Sequence, residues 1–364
     1  MEDKKYWMWL SSIPGVGSRR FFALMDYFES AENIFAASDK ELQASHILPA
    51  EVIKSITENR KRDKVDNYYK KVKDNGIKVY TILENEYPEY LKNIYDAPPL
   101  VYVKGELLPQ DSLSMGIVGS RKASEYGVKT AERLAGELAQ AGMTIVSGMA
   151  MGIDSAAHRG ALKAGGRTVA VLGCGLNHIY PRSSTGLFRE IAAKGAIVTE
   201  YPLGMAALPK NFVARNRLIS GMSRGVLVVE AGERSGSLIT ADFALEQGRE
   251  VFAVPGNINS PNSKGTNALI KNGAKLVQRI EDIFEELNIG FERPSNDRVD
   301  CRNFDAAEKA IVEVLGSTNK GVNDIISETG YPPGRVMSSL TMLELKGIIQ
   351  SDNGLYYINH IQYK

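Results

Sequence analysis

Cysteine is nearly absent: in 364 residues only Cys174 and Cys301 occur, too few for a disulfide framework or a cysteine zinc site. Histidine is scarce as well. His46, His158, His178 and His360 lie too far apart to form a ligand-spacing motif, so we expect no metal. No apolar run approaches the roughly 20 residues of a membrane helix. The opening MEDKKYWMWLSSIPG has an apolar patch too short and wrongly flanked for a secretory signal, and the expected location is cytoplasmic. Net charge is also missing, since 44 Lys and Arg against 43 Asp and Glu leave +1. That excludes a chain held to a polyanion by bulk charge, but not one whose cations gather on a single face. With 43% hydrophobic and 24% charged residues, and neither repeats nor low-complexity tracts, the composition is that of a globular protein. Its length predicts two or three domains.

Glycine is plentiful, at 34 residues, and the useful ones fall at expected strand ends. Residues 1–65 read as a small helical domain, in which Ile13-Pro14-Gly15-Val16-Gly17 fits a helix-hairpin-helix turn followed by Arg19 and Arg20. A bridging section, with strands expected at 78–83 and 100–103, opens the central domain of residues 66–290. There, unalternating Val/Ile strands at 115–118, 143–147, 168–172, 196–199, 225–229 and 250–254 alternate with helices at 125–139, 153–163, 186–193 and 238–246. This pattern predicts an extended Rossmann-like α/β fold, a parallel sheet with helices on both faces. Residues 291–305 read as a linker. Residues 306–364 follow the order helix, helix, turn, helix, hairpin, that of a winged helix.

In such a sheet, ligands sit beyond the carboxyl ends of the strands, where helix N-termini present free N–H groups. The first strand ends in Gly119-Ser120-Arg121, suited to close backbone approach and a bidentate grip on phosphate. The second runs into residues 147–154, whose Asp154 lies four residues before His158; helix cap plus satisfied histidine is favoured there over a catalytic pair. The segment PKNFVARNRLISGMS concentrates Lys210, Arg215 and Arg217, with Arg224 just beyond it, around Phe212 and contains no acid. Cations beside an aromatic suit single-stranded nucleic acid. No general base, nucleophile or metal cluster stands out, so no catalytic residue and no cofactor is assigned.

Together GIVGSR (116–121), SGMAMGIDSAAHRGAL (147–162), GCGLNHIYP (173–181), NFVARNRLISGMS (211–223), EAGERSGSLITADFALEQGREVFAVPG (230–256) and GTNALIKNGA (265–274) resemble the DNA-processing protein A (DprA, or Smf) family. The resemblance covers the whole central domain, in order. It implies a single-stranded DNA-binding protein of natural transformation and recombination. Such a protein shields incoming DNA, helps load the RecA recombinase and acts as a homodimer through the central domain. Carried over, the family's DNA contacts fall on Gly119, Ser120, Arg121, Phe212, Arg215, Asn216 and Arg217; Lys210 is added on charge grounds. Val213 replaces a common family proline, and Arg182 to Thr185 depart from the family loop.

Three rival readings are weighed. A LOG-type nucleotide phosphoribohydrolase needs a glutamate where Thr240 stands, and threonine supplies no carboxylate. A dinucleotide oxidoreductase would use residues 173–178, where His178 occupies the third glycine position and Glu200 comes too late and too exposed. A winged-helix transcription regulator is disfavoured because Arg335 and Lys346 face Asp324, Glu328, Glu344 and Asp352 across residues 321–358. A protein-interaction or weak DNA module is preferred for that domain.

Overall fold

The structure, a computed structural model, describes residues 3–290, 304–316, 319–352 and 354–358. Its contacts divide the chain into two compact units, residues 1–291 and 292–364.

In the first unit, six helices lead in: α1 (Asp3–Ser12), α2 (Ser18–Phe28), α3 (Ala31–Ala36), α4 (Asp39–Ala44), α5 (Ala50–Asn59) and α6 (Arg62–Asp74). Ser30 and Ser38 cap α3 and α4 through their hydroxyls, the latter in a capping box with Glu41. Strand β1 (Lys78–Thr81), helix α7 (Glu89–Lys92) and strand β2 (Leu100–Gly105) follow. Then strands and helices alternate: β3 (Ser114–Val118), α8 (Glu125–Gln140), β4 (Thr144–Ser147), α9 (Ile153–Lys163), β5 (Thr168–Val171), α10 (Thr185–Lys194), β6 (Ala196–Thr199), α11 (Pro209–Gly221), β7 (Gly225–Val228), α12 (Gly236–Glu246), β8 (Glu250–Ala253), α13 (Lys264–Lys271), β9 (Lys275–Leu276) and α14 (Glu281–Glu286).

The sheet has nine strands in the order β1-β2-β6-β5-β4-β3-β7-β8-β9. All neighbours from β6 to β9 pair in parallel, as the apolar strand runs predict. The bridging section is not separate from this sheet: β2 pairs antiparallel with β6, and β1 antiparallel with β2. The two-residue β9 is too short to leave a pattern in sequence. Alternate residues of each strand feed opposite faces. Met115 and Ile117 pack with α8 and α9, whereas Val118, Val226 and Val228 pack with α11 and α12.

Helices α1 to α6 share one apolar core with the sheet: Tyr6, Trp7, Phe21 and Ile56 lie in the same cluster as Tyr102, Ile191 and Ile197. Each fully buried aromatic or aliphatic side chain there contributes roughly 1.5–3 kcal/mol. A cut at residue 65 would therefore expose a shared core rather than sever a linker.

The second unit comprises α15 (Ala306–Leu315), β10 (Lys320–Gly321), α16 (Val322–Thr329), α17 (Pro333–Leu345), β11 (Ile349–Asp352) and β12 (Leu355–Ile358), with strand order β10-β12-β11. This is a winged helix with a third short strand. Ile311, Leu315, Ile325, Val336, Leu340 and Leu343 form its core. Its cations are largely spent on acids: Lys320 on Glu328, Arg335 on Asp305 and Lys346 on Glu308. The linker expected at 291–305, apart from its last two residues, lies outside the described residues, as do Cys301 and His360.

Candidate nucleic-acid interface

Strand β3 neighbours β4 on one side and β7 on the other. The connections leaving β3 and β7 start on opposite faces, so a crevice opens beyond their carboxyl ends. The loop 119–121 is tied into both flanks. Ser120 N donates to Glu230 O at 2.8 Å, and Ile153 N donates to Ser120 O at 3.2 Å. A Cβ on Gly119 would lie 2.6 Å from Ile153 and 2.8 Å from Glu230 O. Gly152 has φ +80°, and a Cβ there would lie 2.2 Å from Ser120 O, so these loops close only on glycine.

Sequence reasoning passed over Glu230, the acid at the end of β7. It is buried, and its carboxylate accepts from Ser124 N at 2.9 Å and from the Ser124 hydroxyl. It is thus committed to the start of α8, where a negative charge complements the helix dipole.

Helix α11 enters the crevice at its N-terminus, which carries Pro209 and no side-chain cap. Phe212 and Arg215, three apart, share a face. The Phe212 ring centroid lies 5.6 Å from the Arg121 guanidinium and 5.9 Å from that of Arg215. The half-exposed Tyr180 ring sits 5.2 Å from it, centroid to centroid. Arg121 and Lys210 are exposed. Arg215 is only 3% exposed; its Nη1 donates to Gly148 O at 2.7 Å and to Val171 O. A Cβ on Gly148 would meet that guanidinium at 2.3 Å, and one on Gly173 would meet the Phe212 ring at 2.9 Å. Glycines of two loops thus make room for one arginine–aromatic cluster.

Two of the charges behind this cluster are buried. Burial pushes the Asp154 carboxyl up, opposed by Arg215, by the Ala150 N–H and by Arg121. Burial likewise pushes the Arg215 guanidinium down, opposed by Asp154. Asp154 does not reach His158. It accepts from Ala150 N at 3.4 Å, while His158 Nδ1 lies 2.6 Å from Thr168 Oγ1 and Nε2 has no partner.

His158 is fully buried, and desolvation, with Arg215 and Arg159 adding to it, lowers its pKa to about 3. The unfolded histidine titrates near about 6.5, so between these values the unfolded chain takes up a proton that the fold refuses. This contribution to stability is complete above about pH 6.5 and is lost as the pH falls toward 3. Between pH 7 and pH 5 it amounts to about 2 kcal/mol. Urea unfolding at the two pH values should show His158→Gln losing about that much less than the parent; equal losses would refute the assignment.

The cations of 209–224 do not form one stripe. Arg217 points to the far side of α11 and is 8% exposed. Its Nε lies 3.0 Å from Asp96 and its Nη2 2.5 Å from Glu200. The segment is acid-free in sequence but not in space. Glu200, expected to be exposed, is instead largely buried against Arg217, and burial pushes its carboxyl up. Arg224 follows the other end of a 13-residue helix, roughly 20 Å from Lys210. Asn216 donates to Gly236 O at 3.2 Å and ties α11 to α12. Among the described residues no group of three or more His, Cys, Asp or Glu side chains is placed to hold a metal ion, and Thr240 is buried in α12.

Residues 78–288 match the family model of DNA recombination-mediator protein A, and residues 296–354 that of the DprA winged helix domain. The chain is 44% identical over 278 residues to Protein Smf of Escherichia coli K12, covering 74% of each chain. It is similar to the X-ray structure of DNA processing protein A from Streptococcus pneumoniae, with a TM-score of 0.67 and 35% identity over 79% of this chain and 99% of that one. A second similar structure is DNA processing protein A of Helicobacter pylori, described for its unique single-stranded DNA binding mode; the TM-score is 0.52 at 33% identity, over 58% of this chain and 96% of that one.

Proposed function

We infer what this chain does from one premise: it belongs to the DNA recombination-mediator protein A family. On that premise it processes DNA in natural transformation and recombination by holding single-stranded DNA in the crevice beyond β3 and β7. The observation that carries this reading is the Arg121–Phe212–Arg215 cluster at the sheet's switch point. Arg121 and Lys210 grip phosphates together with the Ser120 hydroxyl and the uncapped start of α11. Phe212 and Tyr180 offer stacking faces to unpaired bases. Arg215 is a positioning residue, buried under the loops and fixing the Phe212 face. Arg217 and Asn216 hold α11 in place.

The protein does no chemistry on the strand. The acids nearest the cluster are engaged within the chain: Glu230 caps α8, and Asp154 is held by Ala150 N–H and by the arginine charges. It shields the strand, passes it to a RecA-type recombinase, and works in the cytoplasm as a homodimer through the central domain. Neither the hydrolase nor the transcription-regulator reading draws support from the site.

Fluorescence anisotropy of the whole protein on single- and double-stranded oligonucleotides across a salt series tests this reading. Single strands should bind more tightly, with log affinity falling by roughly 0.7 per decade of salt for each phosphate neutralised. Equal affinity for duplex at every salt concentration would overturn it.

The winged helix should contribute little, because its cations Lys320, Arg335 and Lys346 are ion-paired. A chain ending at residue 291 is expected to keep single-strand affinity within about threefold, since the part removed carries more acids than cations. A loss of tenfold or more would move the binding function to the second unit.

A further inference from the structure

Three arginines lie against the short segment 89–96, two of them at the end of the sheet opposite the crevice. Arg224 precedes β7 and Arg249 precedes β8, so both stand at the amino ends of parallel strands. Their guanidinium carbons lie 5.5 and 4.6 Å from the centroid of the Tyr90 ring in α7, and Arg249 Nη2 donates to Tyr90 O at 3.1 Å. Arg19, in the first turn of α2, lies 4.4 Å over the ring of Tyr95, which is 81% exposed. Ser18 Oγ donates to Asp96 O at 3.3 Å and so anchors α2 to the same segment.

Within the described residues none of these three arginines forms an ion pair. Glu89, next to Tyr90, and Glu250, next to Arg249, form no ion pair with them, while Asp96 is taken by Arg217. Gly17, the N-cap of helix α2, supplies no side-chain cap, and a Cβ on it would meet nothing within 4 Å. Unneutralised guanidinium groups beside aromatic rings, the half-buried Tyr90 and the exposed Tyr95, are the pairing that unpaired polynucleotide requires.

We propose that this face is a second contact surface for single-stranded nucleic acid, in which Arg19, Arg224 and Arg249 hold backbone phosphates and an unpaired base extends the Tyr95–Arg19 stack. It rests on the reading that the chain binds single strands, but not on the crevice residues. Two separate surfaces let a single protomer hold two stretches of strand at once.

The test uses the full chain. Photo-crosslinking with a bromodeoxyuridine oligonucleotide, mapped by mass spectrometry, should mark Tyr95 as well as the crevice. The exposed double variant Arg19→Glu with Tyr95→Ala should keep the parental melting temperature. It should bind a long oligonucleotide roughly 5- to 50-fold more weakly, with a salt slope shallower by about 0.7. Crosslinks confined to the crevice, with slope and affinity unchanged in the double variant, would overturn the proposal and leave the crevice reading intact. Loss of binding in the double variant, with Arg121→Glu silent, would support the second surface and remove the first. A parent protein that binds no single strand would sink both.

Discussion

Arg121→Glu is expected to lower single-strand affinity by roughly 10- to 150-fold at low salt while leaving the melting temperature nearly unchanged. Arg121 is exposed at the rim of the crevice, so its replacement uncovers no core. What is lost is a charge-assisted contact to phosphate, and the new carboxylate adds repulsion. The contact over Phe212 is lost too, worth about 0.5–1 kcal/mol at an exposed site. Salt distinguishes contact from indirect damage. If Arg121 neutralises one phosphate, the slope of log affinity against log salt becomes shallower by roughly 0.7. Anisotropy titrations at three salt concentrations measure both quantities, and a folded variant with parental affinity and slope removes Arg121 from the interface.

Arg217→Ala should behave in the opposite way. Here the arginine leaves behind Glu200, whose carboxyl is buried and already pushed up by burial, together with Asp96. Breaking a buried pair from one side costs roughly 3–5 kcal/mol, because the surviving charge is stranded. For a unit of this size that is on the order of 10 °C in melting temperature. Single-strand affinity per folded molecule, measured well below the transition, should stay within about twofold. The companion Glu200→Gln with Arg217→Met removes both charges and should recover much of the lost stability. A stable Arg217→Ala with greatly weakened DNA binding would return this residue to the contact surface.

Much of the fold was legible because its signals are local. Helices Ile153–Lys163 and Ala306–Leu315 run between the expected residues, since a 3.6-residue apolar period bounded by capping or glycine residues needs no tertiary information. The parallel sheet was legible from unalternating Val/Ile runs for the same reason. The N-terminal helices were legible as helices but not as part of the sheet's core, because an amphipathic stripe does not state what covers it.

The site divided along the same line. Spacing along the chain marks Gly119-Ser120-Arg121 as the close of a strand and sets Phe212 among cations, though it does not show that Phe212 and Arg215 share a helical face. It also places small residues at the strand ends. Which cations remain free depends on packing in three dimensions. That packing brought Asp96 and Glu200 to Arg217, turned Glu230 onto α8, and left Arg19, Arg224 and Arg249 beside segment 89–96 without an ion pair among the described residues. The physical reason is that backbone periodicity is set by bonded neighbours, whereas a charge is neutralised by whatever carboxylate lies within about 4 Å in space, however distant along the chain.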